Sequence, residues 1–138
     1  MRFIRISQDE LDKIRRLYES VMSHASHGLF YREGETLGKE IVKMAVEDMD
    51  NFLETSGRLI KGRGWVEDIS FMDNRIIVKG SFESKEGADE ATCHRLRGMI
   101  HAILEKQTGK RLVCLEEKCL SLGDPYCEFV VREMEGSK

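Results

Sequence analysis

The spacing of the apolar residues changes near Gly62, and this change limits the folds open to the chain. Before Gly62, apolar residues recur every three or four positions, which is the period of a helix buried on one side. After it, two segments alternate apolar and polar residues as half-buried strands do, and a further helical segment and two more strand-like segments follow. This order predicts an α+β fold, with helices packed on an antiparallel sheet of about four strands.

Local signals place the ends of the first helices. Ser7 and Glu10 have the spacing of a capping box, and the apolar stripe after them predicts a first helix that continues down to Gly28. A second helix is predicted from about Thr36 to about Thr55. Its apolar residues cover more than one face, so we expect it to contact the core on one side and a partner subunit on the other.

The second half of the chain is predicted to supply the sheet. A third helix separates two pairs of strands; it begins at about Glu86 or Asp89 and ends at Gln107, before Gly109. A turn at Gly123–Pro125 joins the last pair of strands. The predicted strands are Trp65–Phe71, Arg75–Phe82, Arg111–Leu120 and Tyr126–Glu133.

Length and charge narrow the classes of partner. The 138 residues fit one domain, 1–138, in which only the tail Gly136–Lys138 is expected to fray. With 22 basic and 25 acidic residues the net charge is −3, and no long block of like charge is present, so we expect no nucleic-acid partner. The sequence has no apolar run of about 18 residues and no signal-peptide pattern. We therefore expect a cytoplasmic location and no membrane partner.

The cysteines are the residues with the clearest chemical potential. All four lie in the last third of the chain, and in a reducing compartment such clustering favours metal binding or catalysis over disulfides. Cys119 and Cys127 lie four residues on either side of Gly123, so a symmetric hairpin would place them opposite one another on one face. Cys93 is expected in the first turns of the third helix, on the stripe that faces this hairpin. Three thiols could therefore converge.

A tetrahedral zinc site would need a fourth donor. In a regular strand Glu117 shares a face with Cys119. Cys114 and Glu116 lie on the opposite face, and either would need a bulge or turn before Cys119 to join it. A set of four thiolates is a familiar zinc site, but a carboxylate also binds zinc, so spacing leaves all three candidates open. Apart from this role, Cys114 is expected to be a buried core residue.

The spacing of these residues resembles the pattern of the 4-vinyl reductase domain family. The resemblance is strongest over residues 93–131 and rests on Cys93-x22-Glu116-x2-Cys119-x7-Cys127 with Gly98, Gly109 and Gly123. It implies a ligand-binding fold related to haem domains that sense nitric oxide and to Golgi-transport TRAPP subunits. Zinc-binding members, the sensor domains of aromatic-responsive regulators, hold the metal with three cysteines and a glutamate. The resemblance thus implies one structural Zn²⁺, with the ligands Cys93, Glu116, Cys119 and Cys127.

The resemblance also implies a function, that of a sensor domain. Such a domain encloses a small hydrophobic molecule, pairs as a homodimer, and signals through the dimer or a separate effector protein. One alternative is an enzyme or accessory subunit that reduces vinyl groups of tetrapyrroles, and another is a structural assembly subunit. The sequence has no dinucleotide-binding glycine loop, no iron–sulfur cysteine run and no evident acid/base pair, so we assign no catalytic residue.

The histidines are expected to have structural roles. His24 and His27 could face a metal together, but we interpret them as favourable charges at the C-terminal end of the first helix. His94 and His101 are seven residues apart and are expected to be partly exposed packing residues on one helix face. No histidine lies between His27 and His94, so the phenol specificity of related sensors is not implied, and we assign no haem.

Overall fold

A computed structural model describes residues 1–134, and the predicted fraying tail Gly136–Lys138 lies outside this range. The described residues form an α+β fold whose sheet has the strand order β1-β2-β4-β3, with every neighbouring pair antiparallel. This agrees with the predicted fold class. The helices are α1 (Gln8–Met22), α2 (Ala25–Ala45), α3 (Phe52–Gly62) and α4 (His94–Thr108). The strands are β1 (Asp68–Met72), β2 (Arg75–Lys79), β3 (Leu112–Lys118) and β4 (Cys127–Glu133).

The capping box at the start of α1 is confirmed, but the predicted end of this helix is wrong. The Glu10 N–H donates to Ser7 Oγ at 3.0 Å, and the Ser7 N–H donates to Glu10 Oε1 at 2.8 Å. The chain leaves the helix at Ser23, where φ is 51°, and α2 then begins and passes through Gly28. Sequence patterns missed this break because it occurs at a serine, without the glycine or proline that usually marks one.

The predicted second helix is in fact two helices. Between α2 and α3 lies a 3₁₀ segment, Val46–Asn51, in which Asp48 leaves the helical region with φ −136° and ψ 80°. The apolar positions on the two sides of this break pack into the same core, as Ile41, Ala45 and Phe52 do. An uninterrupted helical period is therefore a poor guide here, because the residues on both sides of the break face the same core.

Three glycines allow the backbones of α2 and α4 to approach closely. A Cβ placed on Gly34 would lie 1.9 Å from the carbonyl oxygen of Arg95, and one on Gly98 would lie 2.1 Å from that of Tyr31. A Cβ on Gly38 would lie 2.9 Å from the backbone of α4. No side chain fits between the helices at these positions. The close contact fixes the first turn of α4 against the middle of α2.

The start of α4 differs from the prediction because a buried carboxylate sets it. The helix begins at His94, not at Glu86 or Asp89, and Gly109 ends it with φ 71° as expected. Glu83 accepts the backbone N–H groups of Arg95 at 3.1 Å and of the next residue at 2.8 Å. Burial raises the pKa of Glu83 to about 7, against these hydrogen bonds, which lower it.

The core lies between α4 and the sheet. α4 contributes Leu96, Met99, Ile100 and Ile103, which are completely buried. Ile76, Val78 and Phe129 pack against them from the sheet. Among residues 1–134 no helix combines the length and apolar character that a membrane span requires.

Candidate metal centre

Three thiols and one carboxylate meet between the start of α4 and the β3–β4 hairpin. Cys93, Glu116, Cys119 and Cys127 each offer a ligand atom, and these atoms lie within 4.8 Å of one another. The Cys93 Sγ is 4.0 Å from the Cys119 Sγ and 3.8 Å from the Cys127 Sγ. All three cysteines are buried, and the described cysteines are free of disulfides. The structure thus brings together the four residues that the resemblance implies.

An irregularity in β3 decides which carboxylate joins the thiols. The pairing of β3 with β4 shifts by one residue between Glu116 and Lys118. A regular strand would place Glu116 on the face opposite Cys119, and the extra residue turns it to the same face. The two other candidate donors stay outside the cluster, because Glu117 is exposed and Cys114 is buried in the core. Burial raises the pKa of the Cys114 thiol to about 12, as suits a core residue.

The turn after β3 positions the two hairpin cysteines. Residues Leu120–Leu122 form one 3₁₀ turn, and Gly123 completes it with φ 92°. The Cys119 N–H donates to Asp124 Oδ2 at 2.9 Å, and the Leu120 N–H donates to the Cys127 Sγ at 3.3 Å. Our sequence analysis missed the role of Asp124, although an aspartate in a turn commonly accepts a nearby backbone N–H.

Cys93 occupies the N-cap of α4 and not the first turns of the helix, where the sequence predicted it. Its backbone N–H donates to Glu116 Oε1 at 3.3 Å, so the helix end holds the carboxylate in place. Its Sγ lies 3.0 Å from the hydroxyl of Ser81, which the sequence analysis did not identify. The centre is therefore assembled from a helix terminus, the end of a bulged strand and the first residue of β4.

Without a cation, this cluster resists carrying more than one negative charge. Hydrogen bonds from the two neighbouring thiols lower the pKa of Cys119. The bond to Cys119 raises the pKa of Cys127 to about 12, and the same contact raises that of Cys93. Burial raises the pKa of Glu116. The arrangement thus favours one thiolate shared among protonated neighbours, and a bound cation would favour deprotonation of all four donors.

The donor set and its geometry fit a tetrahedral divalent cation. With metal–sulfur bonds of about 2.3 Å, the edge of a tetrahedron is about 3.8 Å long. The two measured sulfur–sulfur distances are 3.8 and 4.0 Å. The Glu116 Oε2 is buried and has no hydrogen-bond partner among the described residues, which is costly unless another group binds it. The cluster could therefore hold a metal ion.

The structure corrects the interpretation of the first two histidines. His24 caps α2 and His27 lies in its first turn, so neither stands at a helix C-terminus. His94 is more buried than predicted; its ring stacks on that of His27 at 4.1 Å, and burial lowers its pKa to about 4. His101 is partly buried, as expected, and contacts the Tyr31 hydroxyl.

Comparisons with known proteins agree with the sequence pattern. Residues 74–133 match the family model of the 4-vinyl reductase domain. The uncharacterized protein MJ0150 of Methanocaldococcus jannaschii is 30% identical over 110 residues, which cover 75% of this chain and 63% of that protein. The uncharacterized protein MJ0855 of the same organism is 39% identical over 61 residues, 42% of this chain and 27% of that protein. The chain thus spans less than two thirds of either relative.

Two solved structures share the fold. The phenol-responsive sensory domain of the transcription activator PoxR, solved with phenol, has a TM-score of 0.82, 19% identity, and covers 99% of this chain and 79% of its own. A vinyl-4-reductase family protein from M. jannaschii has a TM-score of 0.70, 18% identity, and covers 96% and 85%. The matched range contains all four residues of the metal centre. The predicted family is therefore confirmed, and this chain belongs to the 4-vinyl reductase domain family through its residues 74–133.

Proposed function

We propose that this chain is a sensor domain that binds a small hydrophobic molecule and is stabilised by one structural Zn²⁺. The observation that carries the proposal is the similarity over 99% of the chain to the sensory domain of PoxR. The proposal extends to residues 1–138 as one domain without a catalytic residue. Unpaired thiols persist in reducing compartments, so we also propose a cytoplasmic location.

The proposed zinc ligands are Cys93, Glu116, Cys119 and Cys127. Four protein donors leave no coordination position for water or substrate, which is typical of structural and not catalytic zinc. When bound, the ion would supply a cross-link between the start of α4 and the terminal hairpin. Cys93 and Glu116 would orient each other through the hydrogen bond that already joins them.

We place the ligand site beneath α1. The space there has a volume of about 10 Å³, so this conformation has room for about one water molecule. Its lining combines apolar and polar side chains, as ligand sites do. The main lining residues are Leu11, Phe30, Phe82, Glu83, Thr92 and Arg95. Such a lining suits a small apolar or aromatic body with one polar group.

A ligand could enter if α1 moves outward. Only Leu11 and Asp12 of this helix are buried. The polar links to the following loop are a 3.2 Å hydrogen bond from Gln8 to the Ser84 carbonyl and a 3.9 Å contact between Lys85 and Asp12. A helix held by so few contacts opens at low free-energy cost. We propose that a ligand beneath α1 displaces it and that a second subunit or an effector protein detects this movement.

Ligand binding can be tested in two steps. Native mass spectrometry of protein purified from its own host is expected to show a retained small hydrophobic molecule. A binding ligand at about 100 times its Kd should then raise the unfolding midpoint by about 5 °C or more. Phe82→Ala should weaken binding about tenfold by removing one aromatic contact. Phe71→Ala, at another partly buried aromatic residue away from the space, is the matched control.

The ligand hypothesis has clear contrary outcomes. Protein that carries no small molecule and whose midpoint does not respond to a panel of phenols, aromatic acids and lipids would contradict it. Equal effects of the Phe82 and Phe71 variants on affinity would move the site away from α1.

We propose a homodimer that forms through α1, not through the second helix as the sequence suggested. The apolar side of α2 is already covered within the chain, with Ile41 and Ala45 fully buried. On α1, by contrast, Leu17 is 57% exposed and Val21 is 77% exposed, one turn apart. Two copies of such a stripe could cover each other.

The dimer surface can be tested with Val21→Glu. This charge on the stripe is expected to convert the dimer to a monomer at micromolar concentrations, measured by light scattering during gel filtration. Ser20→Glu introduces the same charge at the adjacent exposed position and should leave the mass unchanged. A wild-type protein that is monomeric at high concentration would refute the proposal.

A further inference from the structure

We propose that His24, His27 and Glu90 form a second divalent-cation site, separate from the cysteine centre. One potential ligand atom of each residue lies within 4.8 Å of the other two. Glu90 Oε1 is 3.4 Å from His24 Nδ1 and 3.9 Å from His27 Nε2. These distances are short enough for one ion to contact all three side chains after small rotamer changes.

The corner between α1 and α2 creates this arrangement. Ser23 has φ 51°, a value that side-chain-bearing residues rarely adopt, and the chain turns there directly into the N-cap residue His24. The His24 and His27 rings then lie 5.1 Å apart at an angle of 80°. Glu90 comes from a distant part of the sequence, the loop that precedes Cys93. An ion at this point would tie that loop to the helix corner.

The site combines a rigid part with an accessible one. The ring of His27 stacks on the buried His94 at 4.1 Å, and its Nε2 lies 2.7 Å from Glu19 Oε2. His24 and Glu90 are 77% and 50% exposed, so an ion can enter from solvent. Coordination to His27 Nε2 would replace the hydrogen bond to Glu19 and leave that carboxylate beside the cation. Two carboxylates and two neutral imidazoles would then balance the charge of a divalent ion.

The donor types indicate the class of cation. Imidazole nitrogens with a carboxylate suit zinc, cobalt, nickel or copper(II), whereas magnesium and calcium prefer oxygen donors alone. Three protein ligands also leave at least one position for water. The site therefore differs from the closed thiolate centre, and its ion is expected to exchange readily and to be removed first by a chelator.

Cobalt distinguishes the two sites because thiolate ligands produce strong near-ultraviolet charge-transfer bands and imidazole or carboxylate ligands do not. Metal-free protein titrated with Co²⁺ is expected to take up one equivalent that produces these bands and a second that does not. Glu90→Gln and His24→Ala should each weaken the second equivalent at least about tenfold, since even removal of a group that only supports a ligand costs that much. Glu86→Gln, with the same charge change in the same loop, should have no effect.

The outcomes separate this proposal from that of the cysteine centre. Uptake of a single equivalent with thiolate bands would overturn the second site, as would a second equivalent that is equally strong in both variants and the wild type. Uptake of one equivalent without thiolate bands, lost in Glu90→Gln, would support the second site and contradict zinc at the cysteines. The substituted side chains are exposed, and unchanged unfolding midpoints in chelator would verify that the variants fold.

Discussion

Cys119→Ser is expected to yield protein without zinc and with a free energy of unfolding lowered by more than about 4 kcal/mol. Structural zinc contributes about 10 to 16 kcal/mol in zinc-finger peptides, and a domain with its own core depends on the metal for only part of that. Serine stays protonated at neutral pH and is a poor ligand. The substitution would also leave Glu116 buried without its counter-charge. Elemental analysis and urea unfolding would measure the two effects.

Cys114→Ala is the matched control for this experiment. Cys114 is as deeply buried as Cys119 but lies outside the cluster of ligand atoms. The variant should keep about one zinc per chain at the cysteines and lose only about 1 kcal/mol, the usual cost of a small core change. Wild-type protein that is fully stable without metal, or a Cys114 variant that loses the metal while the Cys119 variant keeps it, would refute the assignment.

Gly34→Ala is expected to lower the free energy of unfolding by about 3 kcal/mol or more, because an overpacked contact between two backbones cannot relax by a rotamer change. The added Cβ would lie 1.9 Å from the Arg95 carbonyl oxygen, so α2 and α4 would have to separate. Since Arg95 lies two residues after Cys93, the separation should also disturb the metal centre. Thermal unfolding and the zinc content would report both effects.

The same helix offers an internal control for the glycine experiment. Gly28 also lies in α2, and an added Cβ there meets nothing within 4 Å. Gly28→Ala should stabilise the protein by about 0.5 to 1 kcal/mol, because alanine restricts the unfolded chain more than glycine does. Similar destabilisation by both substitutions would show that the close approach of α2 and α4 is not the cause.

The accuracy of the sequence-based predictions depended on the range of the interactions involved. The capping box at Ser7 and the helix stop at Gly109 were predicted because each involves residues within one or two turns. The break at Ser23 was missed, since no local signal marks it. The start of α4 was also missed, because its cap, Glu83, lies ten residues before Cys93 and reaches the helix only through the folded loop.

The two candidate metal sites show the same division. Cys93, Cys119 and Cys127 could be identified from residue type and spacing, since a hairpin brings positions at equal distance from its turn together. Glu116 could not be separated from Cys114 and Glu117 in this way, because a register shift in β3 decides the choice. Glu90 carried no signal at all, because its proximity to His24 and His27 depends on the path of a long loop.

The amino-acid pattern was therefore sufficient for the α+β class, the paired strands and the three sulfur donors, all of which follow from periodicity and contacts between chain neighbours. The fourth donor, the contact of α2 with α4 and the histidine cluster emerged from the folded chain. Each of these depends on contacts between residues far apart in sequence, and a bulge, a missing Cβ or a loop path sets such contacts only when the whole core packs.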